Sequence, residues 1–135
     1  MGNLPDFHDG YLDGLFASDS DARIFLRTVD GQAFTFVLRN VEALRADNFR
    51  LGNIIFELNL LTPEQIDESF LCQAYEYSEQ VKERLVLAGW KVRAAQKGLS
   101  GLEITTSYGC ELRSIYAAHE LSEGHAIPTD NKPRR

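Results

Sequence analysis

Chemistry in this chain would have to begin at a few places. The stretch FHDGYLDGLF, Phe7 to Phe16, sets His8 beside Asp9. Such a pair can serve as two ligands of a metal site, but a divalent ion needs at least three converging groups. The other histidines, His119 and His125, lie far along the chain near its C-terminal end. The expectation is therefore that His8 or Asp9 bonds nearby backbone at the start of a strand, as Asp commonly does in turns. No metal and no cofactor are expected. Asp19-Ser20-Asp21 opens like a calcium loop, but Ile24 and Asp30 stand where that loop needs Gly and Glu. No His is placed by sequence to activate Cys110, though the fold could bring His119 to it. Cys110 adjoins the turn Tyr108-Gly109, so a turn or core cysteine is the expected role.

These residues need elements to hold them. Leu12–Ala17 reads as a short strand. Ala22–Val29 and Gln32–Arg39 alternate apolar and polar residues and are joined through Asp30-Gly31, a strong β-hairpin signal. Val41–Leu44 either continues that strand or turns. Ile54–Leu60 alternates again, with Ile54, Phe56, Leu58 and Leu60 on the expected core face. Thr62-Pro63-Glu64-Gln65 has the pattern of a helix start. Apolar residues then recur at helical spacing up to Gly98, a natural stop, as one helix or two. Leu102–Ser107 and Cys110–Ala118 form a second hairpin. The expected fold is α+β: an antiparallel sheet of about six strands with the helical segment packed on one face. Phe34, Phe36, Ile54, Phe56, Leu58, Phe70, Val81, Leu85 and Leu112 should fill the space between them. The expected domain spans residues 1–121, with 122–135 as a flexible tail.

With 135 residues the chain has enough surface to bury a core without a disulfide or metal. Cys72 and Cys110 lack zinc spacing and read as buried thiols in a reducing cytoplasm. No N-terminal signal pattern is expected, and no apolar run approaches the ~18 residues of a membrane span. The formal charge of −6 argues against nucleic acid and for a basic partner. The N-terminal part concentrates acid: Asp6, Asp9, Asp13, Asp19 and Asp21 precede any Lys or Arg.

His8-Asp9-Gly10-Tyr11-Leu12, the Asp-Gly hairpin, Leu38-Arg39-Asn40-Val41-Glu42-Ala43-Leu44, Asn48-Phe49-Arg50-Leu51-Gly52-Asn53-Ile54-Ile55 and Ser107-Tyr108-Gly109-Cys110-Glu111-Leu112 recur in that order. This pattern resembles a group of short bacterial proteins of unknown function, some of which neighbour toxin systems and are suspected immunity proteins. The resemblance implies a small antiparallel-sheet protein that binds a partner, and it carries no catalytic residues. Two function classes follow. The first is a cytoplasmic, non-enzymatic interaction module docking a basic protein through Asp6, Asp9, Asp13, Asp19 and Asp21, with a homodimer as a further option. The alternative is a small enzyme or ligand-binding protein with a site built from His8, Asp9, Asp13, Arg50 and Asn53.

Overall fold

The computed structural model describes residues 4–75 and 81–126, with the side chains of residues 81–87 outside the description. Six strands follow in chain order: β1 (Tyr11–Ser18), β2 (Asp21–Arg27), β3 (Ala33–Asp47), β4 (Asn53–Leu61), β5 (Ser100–Tyr108) and β6 (Glu111–Glu123). A 3-10 turn (Pro63–Gln65) and two helices, α1 (Glu68–Tyr75) and α2 (Val81–Lys97), separate β4 from β5.

The strands close into an antiparallel barrel in the order β1-β2-β3-β6-β5-β4. This corrects the expected open sheet covered by a helix. β3 and β6 are long enough to serve two sheets. Their first pairing, Phe34–Arg39 against Ala118–Glu123, completes a sheet with β1 and β2. Their second, Val41–Asp47 against Glu111–Tyr116, completes one with β5 and β4. Between the two lies Asn40, in the left-handed region at φ 51°.

Four one-residue irregularities supply the remaining curvature, one of them at Ser107 of β5, which is skipped between Ile54↔Tyr108 and Ile55↔Thr106. Asp13 in β1, Glu42 in β3 and Phe56 in β4 each lack a cross-strand partner where the register shifts. Such bulges bend a strand and raise its twist. They also reverse the in-out alternation that follows. Val41 and Leu44 pack on the barrel interior, whereas Ala43 faces the helices.

The main core is therefore inside the barrel, among Ile24, Leu26, Phe34, Phe36, Leu38, Ile55, Leu102, Ile104, Leu112 and Tyr116. The Asp30-Gly31 hairpin has the expected facing: Ile24 opposes Phe36 and Leu26 opposes Phe34. Phe56 does not belong to the core. It is 50% exposed, and Ile55 takes the buried position instead.

A second, smaller core lies outside the barrel, where Phe70, Leu71 and Ala74 of α1 meet Ala43 and Ile115. Val81 and Leu85 fall among the side chains outside the description. The capping residues are one turn apart in role. Gln65 Oε1 accepts from Thr62 N (2.9 Å) and closes the 3-10 turn, while Asp67 Oδ1 accepts from Phe70 N (2.8 Å) and starts α1. Gly98, at φ 66°, ends α2 as expected.

The domain boundary expected after residue 121 falls within β6. The next residues are also tied down: Gly124 N donates to Ala33 O, Thr35 Oγ1 donates to Gly124 O, and Ala126 N donates to Thr35 Oγ1, at 2.7–2.8 Å. The rest of the expected tail lies outside the described residues.

Cys72 and Cys110 are both buried and not joined by a disulfide, one in each core. Burial, with a smaller contribution from the charge of Asp47, pushes the Cys110 thiol up to about 11. Since the thiolate is the reactive form, native protein should resist an aromatic disulfide reagent at neutral pH and react at both cysteines once denatured. Rapid labelling of Cys110 in native protein would show that the barrel end is open.

Candidate functional site

The barrel is closed by a short seam. β1 and β4 pair only at Tyr11↔Ile54 and Leu12↔Asn53. The turn Phe7–Gly10 extends this seam. Gly10 N donates to Phe7 O (2.8 Å), Asp9 N donates to Ile55 O (2.9 Å), and Ile55 N donates to Gly10 O (2.9 Å). Asp9 sits in the left-handed region at φ 62°, which Asp tolerates better than most residues. Gly10 is required by space, since a Cβ there would collide with the Arg27 carbonyl oxygen. Phe7 anchors the turn in the core, edge-on to Phe34 at 5.7 Å. The His-Asp-Gly stretch is thus the clasp of the barrel.

The bulge of β4 meets this clasp. His8 Nδ1 donates to Phe56 O at 2.7 Å, and its ring stands edge-on to the Phe56 ring at 5.6 Å. His8 Nε2 lies 3.7 Å from Asp9 Oδ2. Between residues 4–8 and β4 runs an open cleft of about 310 Å³, lined by Leu4, Asp6, His8, Phe56, Glu57 and Leu58, among others. The Phe56 carbonyl and then the charge of Asp9 raise the His8 pKa above its ordinary value, with smaller contributions from Asp6 and Glu57.

The other expected site residues lie in different places. Asp13, the bulge residue of β1, is held by Arg27 through Nε–Oδ2 (2.6 Å) and Nη2–Oδ1 (3.0 Å). His125 Nε2 lies 3.4 Å from Asp13 and donates to Leu26 O at 3.1 Å. Asp19 is the left-handed residue of the β1–β2 turn. Asp21 pairs with Arg39 at 3.1 Å, and Arg39 also reaches Glu120 at 3.0 Å. The acidic run is therefore not one surface: Arg27 and Arg39 offset two of its members.

Arg50 lies over the Tyr108 ring, 5.7 Å from its centroid, on an exposed turn. Asn53 is fully buried and uses every hydrogen-bonding position. Its Nδ2 donates to Leu12 O (3.0 Å) and Arg50 O (2.6 Å), and its Oδ1 accepts from Arg50 N and Cys110 N (both 2.9 Å). It staples β1, the 48–52 turn and the β5–β6 hairpin. The ligand site expected from His8, Asp9, Asp13, Arg50 and Asn53 is divided among three locations.

Cys110 and His119 do not form a pair. The His119 ring stacks near Phe36 (5.1 Å), and its Nδ1 is 3.1 Å from the Tyr116 hydroxyl. Burial lowers the His119 pKa and raises that of Tyr116, so both stay neutral near neutral pH. Among the described residues no three His, Cys, Asp or Glu side chains converge as a metal site. No described helix is long and apolar enough to cross a membrane.

Asp6 belongs to the expected acidic docking edge, whereas Phe56 and Glu57 are not among the residues expected at a site. The signal for Phe56 was its neighbourhood: Ile54-Ile55-Phe56 puts three apolar residues in succession, and strict alternation cannot bury all three. No protein-family model, curated protein or solved structure matches this chain.

Proposed function

We propose that this protein is a non-enzymatic interaction module that binds a basic segment of a partner protein in the cleft beside the barrel seam. An inhibitor or immunity role fits this activity and the acidity of the chain. The observation that carries the reading is the lining of the cleft: Asp6 and Glu57 stand in its walls with His8 and Phe56, and Asp9 lies 3.7 Å from His8 Nε2. A lysine or arginine from a partner would meet the field of these carboxylates. Phe56, half exposed beside those acids, offers an aromatic face for a cation or an apolar stem.

The test is capture from native cell extract at low salt. Wild-type protein should retain a basic protein, and added salt should release it. A Phe56→Ala/Glu57→Lys double variant should melt near the wild-type temperature and retain none. Acid should also weaken capture. His8, whose pKa is raised from 6.5, gains its proton as pH falls through the raised value, and the cation then competes with the partner for Asp6, Asp9 and Glu57. Capture of nothing at low salt, or equal capture by the double variant, would sink the reading.

A further inference from the structure

We infer that the basic segment binds as an added β-strand along the outer edge of β4, from Phe56 to Leu61. This rests on the reading of the seam cleft as a site for a basic segment.

The first observation is an open edge. On its inner side β4 pairs with β5 as far as Leu61↔Gly101. On its outer side, among the described residues, backbone bonds stop at Ile55, which exchanges both of its bonds with Asp9 and Gly10. Beyond it, the carbonyl of Phe56 is met by a side chain, His8, and not by a strand. An unpaired strand edge is a template for an extended chain.

The second observation is room. The Leu4–His8 segment stands off from β4, and the cleft between them follows β4 through Phe56, Glu57, Leu58 and Asn59. The third is pattern. Leu58 and Leu60 turn toward the barrel core, and Glu57 and Asn59 alternate with them along the strand. A strand laid beside β4 would meet these rows through alternate side chains. Basic residues suit the Glu57 row and apolar residues the Leu58 row.

Charge selects this occupant over a second copy of the chain. Pairing two β4 edges would bring Glu57, Asp6 and Asp9 of both copies together, and like charges across a pair repel. A basic strand reverses that sign.

The probe is a capped peptide of alternating lysine and valine, compared with its fully N-methylated counterpart. The latter keeps the charge and side chains and has no backbone N–H to donate. Both are titrated into the full-length protein, and amide shifts and amide exchange are followed by NMR. The parent peptide should shift Leu4–Asp9 and Phe56–Leu61 and slow exchange along β4. The N-methylated peptide should bind about tenfold more weakly or worse. Equal affinity of the two peptides would overturn strand addition while leaving the basic-segment reading intact. Failure of both to bind would overturn both. Slowed β4 exchange that rises with protein concentration, without peptide, would assign the edge to a second copy and overturn the proposal.

Discussion

An Asn53→Ala variant should lose about 4 kcal/mol of folding stability. The truncation leaves four backbone groups without their side-chain partner: two buried ones, on Leu12 and Cys110, and two part-buried ones on Arg50. Each net hydrogen bond is worth about 1 kcal/mol, and a buried group left unpaired costs more. Little relaxation can rescue them, because Gly109 closes on the Asn53 amide so tightly that a Cβ there would overlap Oδ1. Denaturant unfolding should show the loss as a lower midpoint with an unchanged slope. Asn53→Asp should be about as harmful. It keeps two acceptors, gives up both donations, and aims a carboxylate at the Leu12 and Arg50 carbonyl oxygens. An Asp variant within about 1 kcal/mol of wild type would mean that those donations contribute little.

Phe36→Ala should cost about 3–5 kcal/mol, and Phe56→Ala less than about 1 kcal/mol. Phe36 has 0% exposure at the centre of the barrel, against His119 and beside Ile24 on the next strand. Its removal leaves a cavity that a closed sheet cannot collapse to fill. Phe56 stands outside, and its ring rests mainly on His8. Thermal or urea unfolding of the two variants separates them directly. Similar losses at both positions would mean that β4 runs without its bulge, with Phe56 turned inward.

That contrast marks what the residues disclosed and what they concealed. The Asp30-Gly31 hairpin was legible because a two-period pattern and a turn residue with positive φ (Gly31, 92°) agree locally. The second hairpin and the stop at Gly98 were legible for the same reason. Barrel closure was not. It depends on Asp13, Glu42, Phe56 and Ser107, each a single extra residue, and a single extra residue looks like ordinary sequence while inverting every facing after it. Strict alternation therefore puts Phe56 in the core, and the Glu57 beside it carries no signal of a site, while Asp6 is legible only as one member of the acidic run. Asn53 was picked out as a polar residue at a strand start. Its role as a staple requires Leu12 and Cys110, which only the closed barrel brings to it. His8-Asp9 was read as a turn at a strand start, and the backbone bonds of Asp9 and Gly10 have that geometry.

The shared strands have a consequence during synthesis. β3 belongs to both sheets, and its long ladder is completed only by β6, close to the C-terminal end of the described chain. Every pair on that ladder joins distant parts of the chain, so loop closure must be met before the contacts repay it. On a ribosome, β1, β2 and β3 emerge early with Phe34, Phe36 and Leu38 on an uncovered face. They must wait until β6 has emerged before the barrel can shut. During that interval the nascent meander exposes both an apolar surface and a free β3 edge, the conditions under which chaperones engage and misassembly competes with folding.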